Sequence, residues 1–162
     1  MNQNNSYPIT INPNKIMSLL NIRRFNKKTD KKALEYAFEL VFNASEIPYL
    51  RKTKIDAPSY VGIGRDGRIK AFIIVTKSEY CTLEKGQYFI SYLGVLPRYQ
   101  KCGYASQMLN MVKKYAIDIC LHVGDNNEKA IPFYIKHGFE EVDRYKNTED
   151  STVYGLIFQW LK

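Results

Sequence analysis

The sequence predicts one α/β domain: a single mixed, mostly antiparallel, strongly twisted sheet of about seven strands, flanked by about four helices. Strand-like and helix-periodic segments follow one another in the order β-α-β-β-β-α-β-α-β-β. One strand-helix-strand unit, 88–123, must hold two parallel strands joined by a right-handed crossover. The chain has 162 residues, 45% of them hydrophobic, which suits one domain with a real core.

The boundary of that domain is drawn at residue 18, because "MNQNNSYPITINPN" is Asn-rich and polar and residues 1–17 read as an extension. "LLNIRRFN" (19–26) is the first strand. Thr29-Asp30 offers an N-cap, and Leu34, Ala37, Phe38 and Val41 follow at helical spacing, giving a helix over 30–44. Residues 44–58, punctuated by Pro48 and Pro58, form a connection with room for a short helix. Asp66-Gly67 between two β-rich runs predicts a hairpin of strands 59–64 and 68–77. "KGQYFISYLGVL" (85–96) is a strand stopped by Pro97. Ala105, Met108, Leu109, Val112 and Ala116 mark a helix over 104–116. In the strand at 117–123, Ile117, Ile119, Leu121 and Val123 share one face, and Asp118, Cys120 and His122 share the other. Asn126 or Asn127 starts a helix over 127–137, and Gly138 fits the position just past its end. "FEEVDRYKN" and "TVYGLIFQWL" close the chain as two strands, with Thr148-Glu149-Asp150 suggesting the hairpin between them.

Composition narrows the function classes. Lys and Arg total 24 against 16 acidic residues, a net charge of +8, so anionic partners are favoured, although a basic surface also serves solubility. Cys81, Cys102 and Cys120 are an odd set without CxxC spacing, which argues against a disulfide framework or a zinc site, and a reducing cytoplasm is expected. His122 and His137 share no metal-type spacing, so no metal is expected. No apolar run approaches the roughly 18–20 residues that span a bilayer, and the start of the chain has no apolar core of a signal peptide, so no membrane partner is expected.

The stretch "PRYQKCGYASQML" (97–109) hands a strand over to a helix. A helix start presents unpaired N–H groups and partial positive charge. A preceding glycine admits close backbone approach, and Arg98, Gln100 and Lys101 add donors, so the turn can hold a pyrophosphate. The same residues also make an ordinary turn with solvated lysines, and neither GxGxxG nor GxxxxGK[ST] is present.

Gln100-x-x-Gly103-x-Ala105, set after Leu93-Gly94-Val95-x-Pro97, resembles the Q/R-x-x-G-x-G/A signature of the GNAT superfamily of N-acetyltransferases. Downstream, Asn127, Ala130, Tyr134, Gly138 and Phe139 resemble that family's N-x-x-A-x-x-x-Y-x-x-x-G-F segment, and the likeness covers about 19–160. "LHV" with "NNEKAIPFY" is most similar to the protein N-terminal acetyltransferase branch. The resemblance implies acetyl-CoA as donor substrate. The backbone of Leu93, Gly94 and Val95 would pair with its pantetheine arm, and the turn of Gln100, Lys101, Cys102, Gly103, Tyr104, Ala105 and Ser106 would hold its pyrophosphate through N–H groups. Asn127 would bond the pantetheine or the helix start, and Tyr134 would protonate the departing thiolate. Lys101 stands where a glycine is usual and Ala105 where a second glycine is commoner.

Acetyl transfer to an amine requires the amine to lose a proton and the thiolate to leave. Many relatives carry a glutamate on the strand before Pro97, and "QYFISYLGV" has none. His122 is the candidate base, its ordinary pKa suiting that task; water-mediated deprotonation is the alternative. The usual partner tyrosine position is Phe89 here, with Tyr88 and Tyr92 beside it, and His137 reads as structural. The basic run Arg23, Arg24, Lys27, Lys28, Lys31 and Lys32 is a solvated face or a guide for the CoA 3′-phosphate or an acidic acceptor. The expected acceptor is a peptide N-terminus or a small amine such as an amino sugar, and the protein a monomer or homodimer. The alternative is a catalytically silent domain of this fold, binding nucleic acid or a protein partner through its basic face.

Overall fold

A computed structural model describes residues 20–77, 87–146 and 154–162. Seven strands form one sheet in the order β1-β2-β3-β4-β5-β7-β6: β1 Asn21–Arg24, β2 Tyr60–Ile63, β3 Ile69–Thr76, β4 Gln87–Val95, β5 Asp118–Gly124, β6 Glu140–Lys146 and β7 Tyr154–Leu161. Every neighbouring pair is antiparallel except β4 and β5, which run parallel as the crossover unit requires. Four α-helices flank it among the described residues: α1 Lys27–Phe42, α2 Ile47–Lys52, α3 Tyr104–Lys113 and α4 Ala130–Lys136.

β3 shows why the sheet is covered on both faces. Ala71, Ile73 and Val75 alternate into one core with Met108, Leu109 and Val112 of α3, together with Ile119 and Leu121 of β5. Phe72 and Ile74 alternate into the other, against Leu34, Ala37 and Phe38 of α1 and Leu50 of α2. A strand buried on both sides has no polar positions to spare, hence the run "AFIIV".

Boundaries moved where a better cap existed. α1 starts at Lys27 rather than 30, because the Asn26 side chain accepts from Lys28 N at 3.0 Å. Asp30 is therefore not a cap. It is a buried first-turn carboxylate gripped by both Arg23 nitrogens, at 2.7 and 2.9 Å, and by Asn26 N at 2.8 Å. α3 ends at Lys113, three residues early, and its last turn leads into β5 with Ala116 still buried. Ile117 is exposed rather than part of the apolar face of β5. The Asp66-Gly67 hairpin forms as expected, closed by Gly64 N to Arg68 O at 2.9 Å. The N-terminal extension and the Thr148-Glu149-Asp150 turn lie outside the described residues.

One irregularity shapes the rest. Between β3 and β4 the register passes from Ile74↔Tyr92 to Val75↔Ile90, leaving Ser91 as an extra residue on β4. Such a bulge bends its strand. β4 accordingly pairs with β5 only at Gln87↔Asp118, Tyr88↔Ile119 and Phe89↔Cys120, and the two strands part immediately before the bulge. The result is a V in the sheet, open toward the ends of β4 and β5.

Candidate active site

The stretch at 97–106 lies at the open end of β4. Pro97–Tyr99 form a 3₁₀ turn, and the Gln100 side-chain amide donates to Val95 O at 3.2 Å, tying the turn back to the strand. Lys101 and Gly103 are both left-handed, at φ 60° and 79°. Gly103 takes this conformation at little cost, whereas Lys101 holds it at a cost of about 1 kcal/mol. Alternation of ordinary and left-handed residues turns successive N–H groups to one side, the arrangement that binds anions. No side chain caps α3, so its first N–H groups are left for a ligand or water. Two side chains of the turn point inward instead. Cys102 is buried, its Sγ 3.5 Å from Gln100 O, and Tyr104 is 1% exposed in the core beside Tyr99. Ser106 spends its hydroxyl on His137 Nε2 at 3.0 Å. The turn thus offers main chain, with Lys101 and Arg98 exposed at its rim.

On β4, Leu93 and Val95 pair with Ile73 and Ala71 on one side only; the other edge faces the V. Gly94 is buried against the Phe72 ring, whose nearest atom would lie 2.3 Å from a Cβ there, so this glycine serves packing.

α4 begins where β5 leaves the sheet. Asn127 N donates to Gly124 O at 2.9 Å, and the Asn127 side chain accepts from Ala130 N at 3.0 Å, which starts the helix three residues later than the sequence suggested. Asn127 therefore bonds the helix start. Pro132 falls in the first turn, where its missing N–H costs nothing. The far end closes with Gly138 at φ 78°, Gly138 N to Ile135 O at 2.9 Å and Phe139 N to Tyr134 O at 3.1 Å. This is the paired-bond stop that favours glycine and an apolar contact across it. The contact here is Phe139 against Tyr134, rings 5.3 Å apart and edge-on. Tyr134 is consequently fixed: 8% exposed, edged by Phe133 as well, with burial holding its phenol well above the ordinary value and so protonated.

His137 locks α4 to α3. Its Nδ1 lies 2.7 Å from Phe133 O and its Nε2 meets Ser106, while Lys113 donates to its carbonyl from over the Trp160 ring. The structural role expected of His137 is what the geometry shows.

His122 stands on β5 beyond the last residue paired to β4, exposed but flanked by rings. Phe89 is edge-on at 5.1 Å and Tyr145 of β6 lies at 5.4 Å. That partial desolvation lowers the His122 pKa. Tyr145 Oη sits 3.3 Å from His122 Nδ1. Neither neighbouring tyrosine of β4 plays this part. Tyr92 turns to Phe38 and Phe42 on the α1 side, and Tyr88 packs against the α3-side core. The sequence reading missed Tyr145; its only trace was a tyrosine and a glycine at opposable positions of the two closing strands. Of the basic run, Arg23 pairs with Asp30, while Arg24, Lys27, Lys28, Lys31 and Lys32 are exposed, and α1 covers the face opposite α3. Among the described residues no group of acidic, Cys or His side chains could hold a metal ion, and no helix is long and apolar enough to cross a membrane.

The profile of the Acetyltransferase (GNAT) family matches residues 24–139, well over half of the chain. The chain belongs to the GNAT acetyltransferase family. Its GNAT relatives include N-alpha-acetyltransferase 50 of Danio rerio, 43% identical over 65 residues, covering 36% of this chain and 39% of that protein. An uncharacterized N-acetyltransferase of Staphylococcus aureus is 39% identical over 61 residues, 38% of this chain and 39% of that protein. The chain thus spans about two fifths of these relatives' length. Among solved structures, the GNAT fold is shared with the ribosomal-protein-S18-alanine N-acetyltransferase of Escherichia coli, at TM-score 0.69 and 19% identity over 88% of this chain and 94% of that one. It is shared equally with NAA60 of Arabidopsis thaliana in complex with acetyl-CoA, at TM-score 0.69 and 18% identity over 88% and 99%. In this GNAT domain the two motif segments, 34 residues apart from Gln100 to Tyr134, come to lie on the two sides of one V.

Proposed function

We propose that this chain is an acetyl-CoA-dependent N-acetyltransferase that passes the acetyl group directly to a primary amine. The observation that supports the reading most is the V between β4 and β5, with a main-chain anion cradle at 100–106 on one arm and a buried, protonated tyrosine beyond the other. Acetyl-CoA supplies the activated acyl group and a thiolate that must be neutralised as it leaves. The N–H groups of Lys101 to Ser106 hold its pyrophosphate, with Lys101 and Arg98 as added charge. The free edge of β4 at Leu93 to Val95 pairs with the pantetheine arm. Tyr134 donates its phenolic proton to the leaving sulfur, a task for which a raised pKa keeps it loaded. His122, kept neutral near pH 7 by its lowered pKa, accepts the proton that the ammonium loses. β4 presents no carboxylate for that step, which supports the histidine as base, with water-mediated deprotonation as the alternative.

The relatives support one acceptor class over the other. Proteins named as N-alpha-acetyltransferase and as ribosomal-protein-alanine acetyltransferase support a peptide N-terminus, while the nourseothricin acetyltransferase, at TM-score 0.63, keeps a small amine in view. Release of CoA thiol is to be measured across a panel of peptides with free N-termini and amino sugars. Turnover of peptides alone is expected; sugars alone would reassign the acceptor. No release with any amine, together with salt-steep nucleic-acid binding, would support the silent module instead. Acetyl-CoA at 100 times its Kd should stabilise the fold by about 2.7 kcal/mol, and Gly103→Asp should abolish that shift by placing an anion and a Cβ in the cradle.

A further inference from the structure

The closing hairpin is built to bring one phenol to His122. Tyr145 on β6 and His122 on β5 do not belong to adjacent strands: β7 lies between them. The register places Gly155 of β7 opposite both Tyr145 and Gly124. A side chain at residue 155 would block the path, since its Cβ would stand 2.2 Å from Tyr145 Cζ and 2.6 Å from Tyr145 Oη. The glycine leaves a bare strand across which the tyrosine ring lies flat, and its hydroxyl emerges on the far side, 3.3 Å from His122 Nδ1. Phe89 closes the opposite side of the imidazole. A tyrosine lying over a cross-strand glycine stabilises a sheet by itself. The placement of Oη on a ring nitrogen goes beyond that.

We infer that Tyr145 is a positioning residue that fixes the tautomer of His122: Nδ1–H donates to Tyr145 Oη, and Nε2 carries the lone pair. The inference rests on the reading of His122 as the proton acceptor. In the tautomer with Nδ1–H, the lone pair is on Nε2, which takes the ammonium proton, and the resulting imidazolium keeps its Nδ1–H bond to the phenol oxygen. No proton passes to Tyr145. Its oxygen accepts throughout, orienting the ring and favouring the charged form as it develops.

The test reads the imidazole directly. Nitrogen-15 spectra of the His122 ring at about pH 8, where a histidine of ordinary or lowered pKa is neutral, should show Nδ1 protonated and Nε2 bare. Tyr145→Phe keeps the ring over Gly155 and removes only the oxygen; Gly155→Ala keeps the oxygen and displaces the ring. Both should shift the population toward the Nε2–H form. In turnover, Tyr145→Phe should lower kcat about tenfold with KM for acetyl-CoA unchanged, and should cost nothing further in a His122→Gln background. An Nε2-protonated ring in the unaltered protein, or a tautomer indifferent to both substitutions, overturns the positioning role. Full turnover by His122→Gln instead overturns the histidine as base, a different failure read in a different measurement.

Discussion

At the scale of single residues, Tyr134 shows how position is made before chemistry. Its ring is held by the Gly138 stop through Phe139 and by Phe133 beside it, and burial keeps the hydroxyl protonated. Phenylalanine at 134 retains every one of those ring contacts. Tyr134→Phe should therefore fold and bind acetyl-CoA as before, with kcat reduced about a hundredfold, the usual worth of a positioned general acid. Steady-state kinetics with thiol detection separates the terms. An unchanged kcat would leave the leaving thiolate to solvent and return Tyr134 to the core. The motif segment made this residue legible in the sequence, since its spacing to Gly138 and Phe139 is what the helix stop demands. Tyr145 was not legible in the same way. Its significance depends on which strand lies between it and His122, and strand order is set by long-range pairing that no local window contains.

At the scale of elements, caps and anchors decided where the sequence reading slipped. The helical period of α1 was plain from Leu34, Ala37 and Phe38, but its start was placed at Thr29-Asp30, one turn late. Asn26 caps the helix, and Asp30, inside the first turn, pairs with Arg23 of β1. That pairing makes a pH prediction. Arg23 first, and the Asn26 N–H with it, hold the Asp30 carboxyl down at about 2. A depressed carboxylate adds stability above its ordinary pKa and loses it as pH falls through the folded value. The contribution is at most about 2 kcal/mol, since Arg23 is 43% exposed and partly screened. Urea titrations should show this stability present at pH 5 and fading toward about pH 2, and Asp30→Asn should lose it at neutral pH. At the other end of the chain, Gly138→Ala meets only ordinary contact with Trp160, at 3.6 Å, so its cost is conformational. About 1 kcal/mol is expected, a fall in Tm of about 2–4 °C. The strands were easier to read than their irregularities: alternation marks β4 clearly, whereas the Ser91 bulge appears only once β3 supplies the register.

At the scale of the whole molecule, the V divides the sheet into two parts, β1 to β4 and β5 to β6 through β7, joined by three parallel residue pairs. The crossover helix α3 and the Ser106–His137–Phe133 chain brace the parts from one face. A ligand lying in the V would complete what the bulge interrupts. It would supply acceptors for N–H groups at the α3 start and pair with the β4 edge beyond Phe89. Those amides face solvent or water in the free protein and should exchange readily, whereas β3, paired on both sides and buried on both faces, should not. Hydrogen exchange with and without acetyl-CoA should therefore show new protection concentrated in two peptides, 91–96 and 100–107, with β2, β3 and α1 unchanged. Protection spread evenly over the sheet would indicate global stabilisation by binding elsewhere. Protection confined to α1 and the connection after it would place the ligand on the opposite face and remove the cradle from the reaction. Gly103→Asp is the control, since it should erase both protected peptides together, the pyrophosphate cradle and the strand edge being two contacts of one molecule.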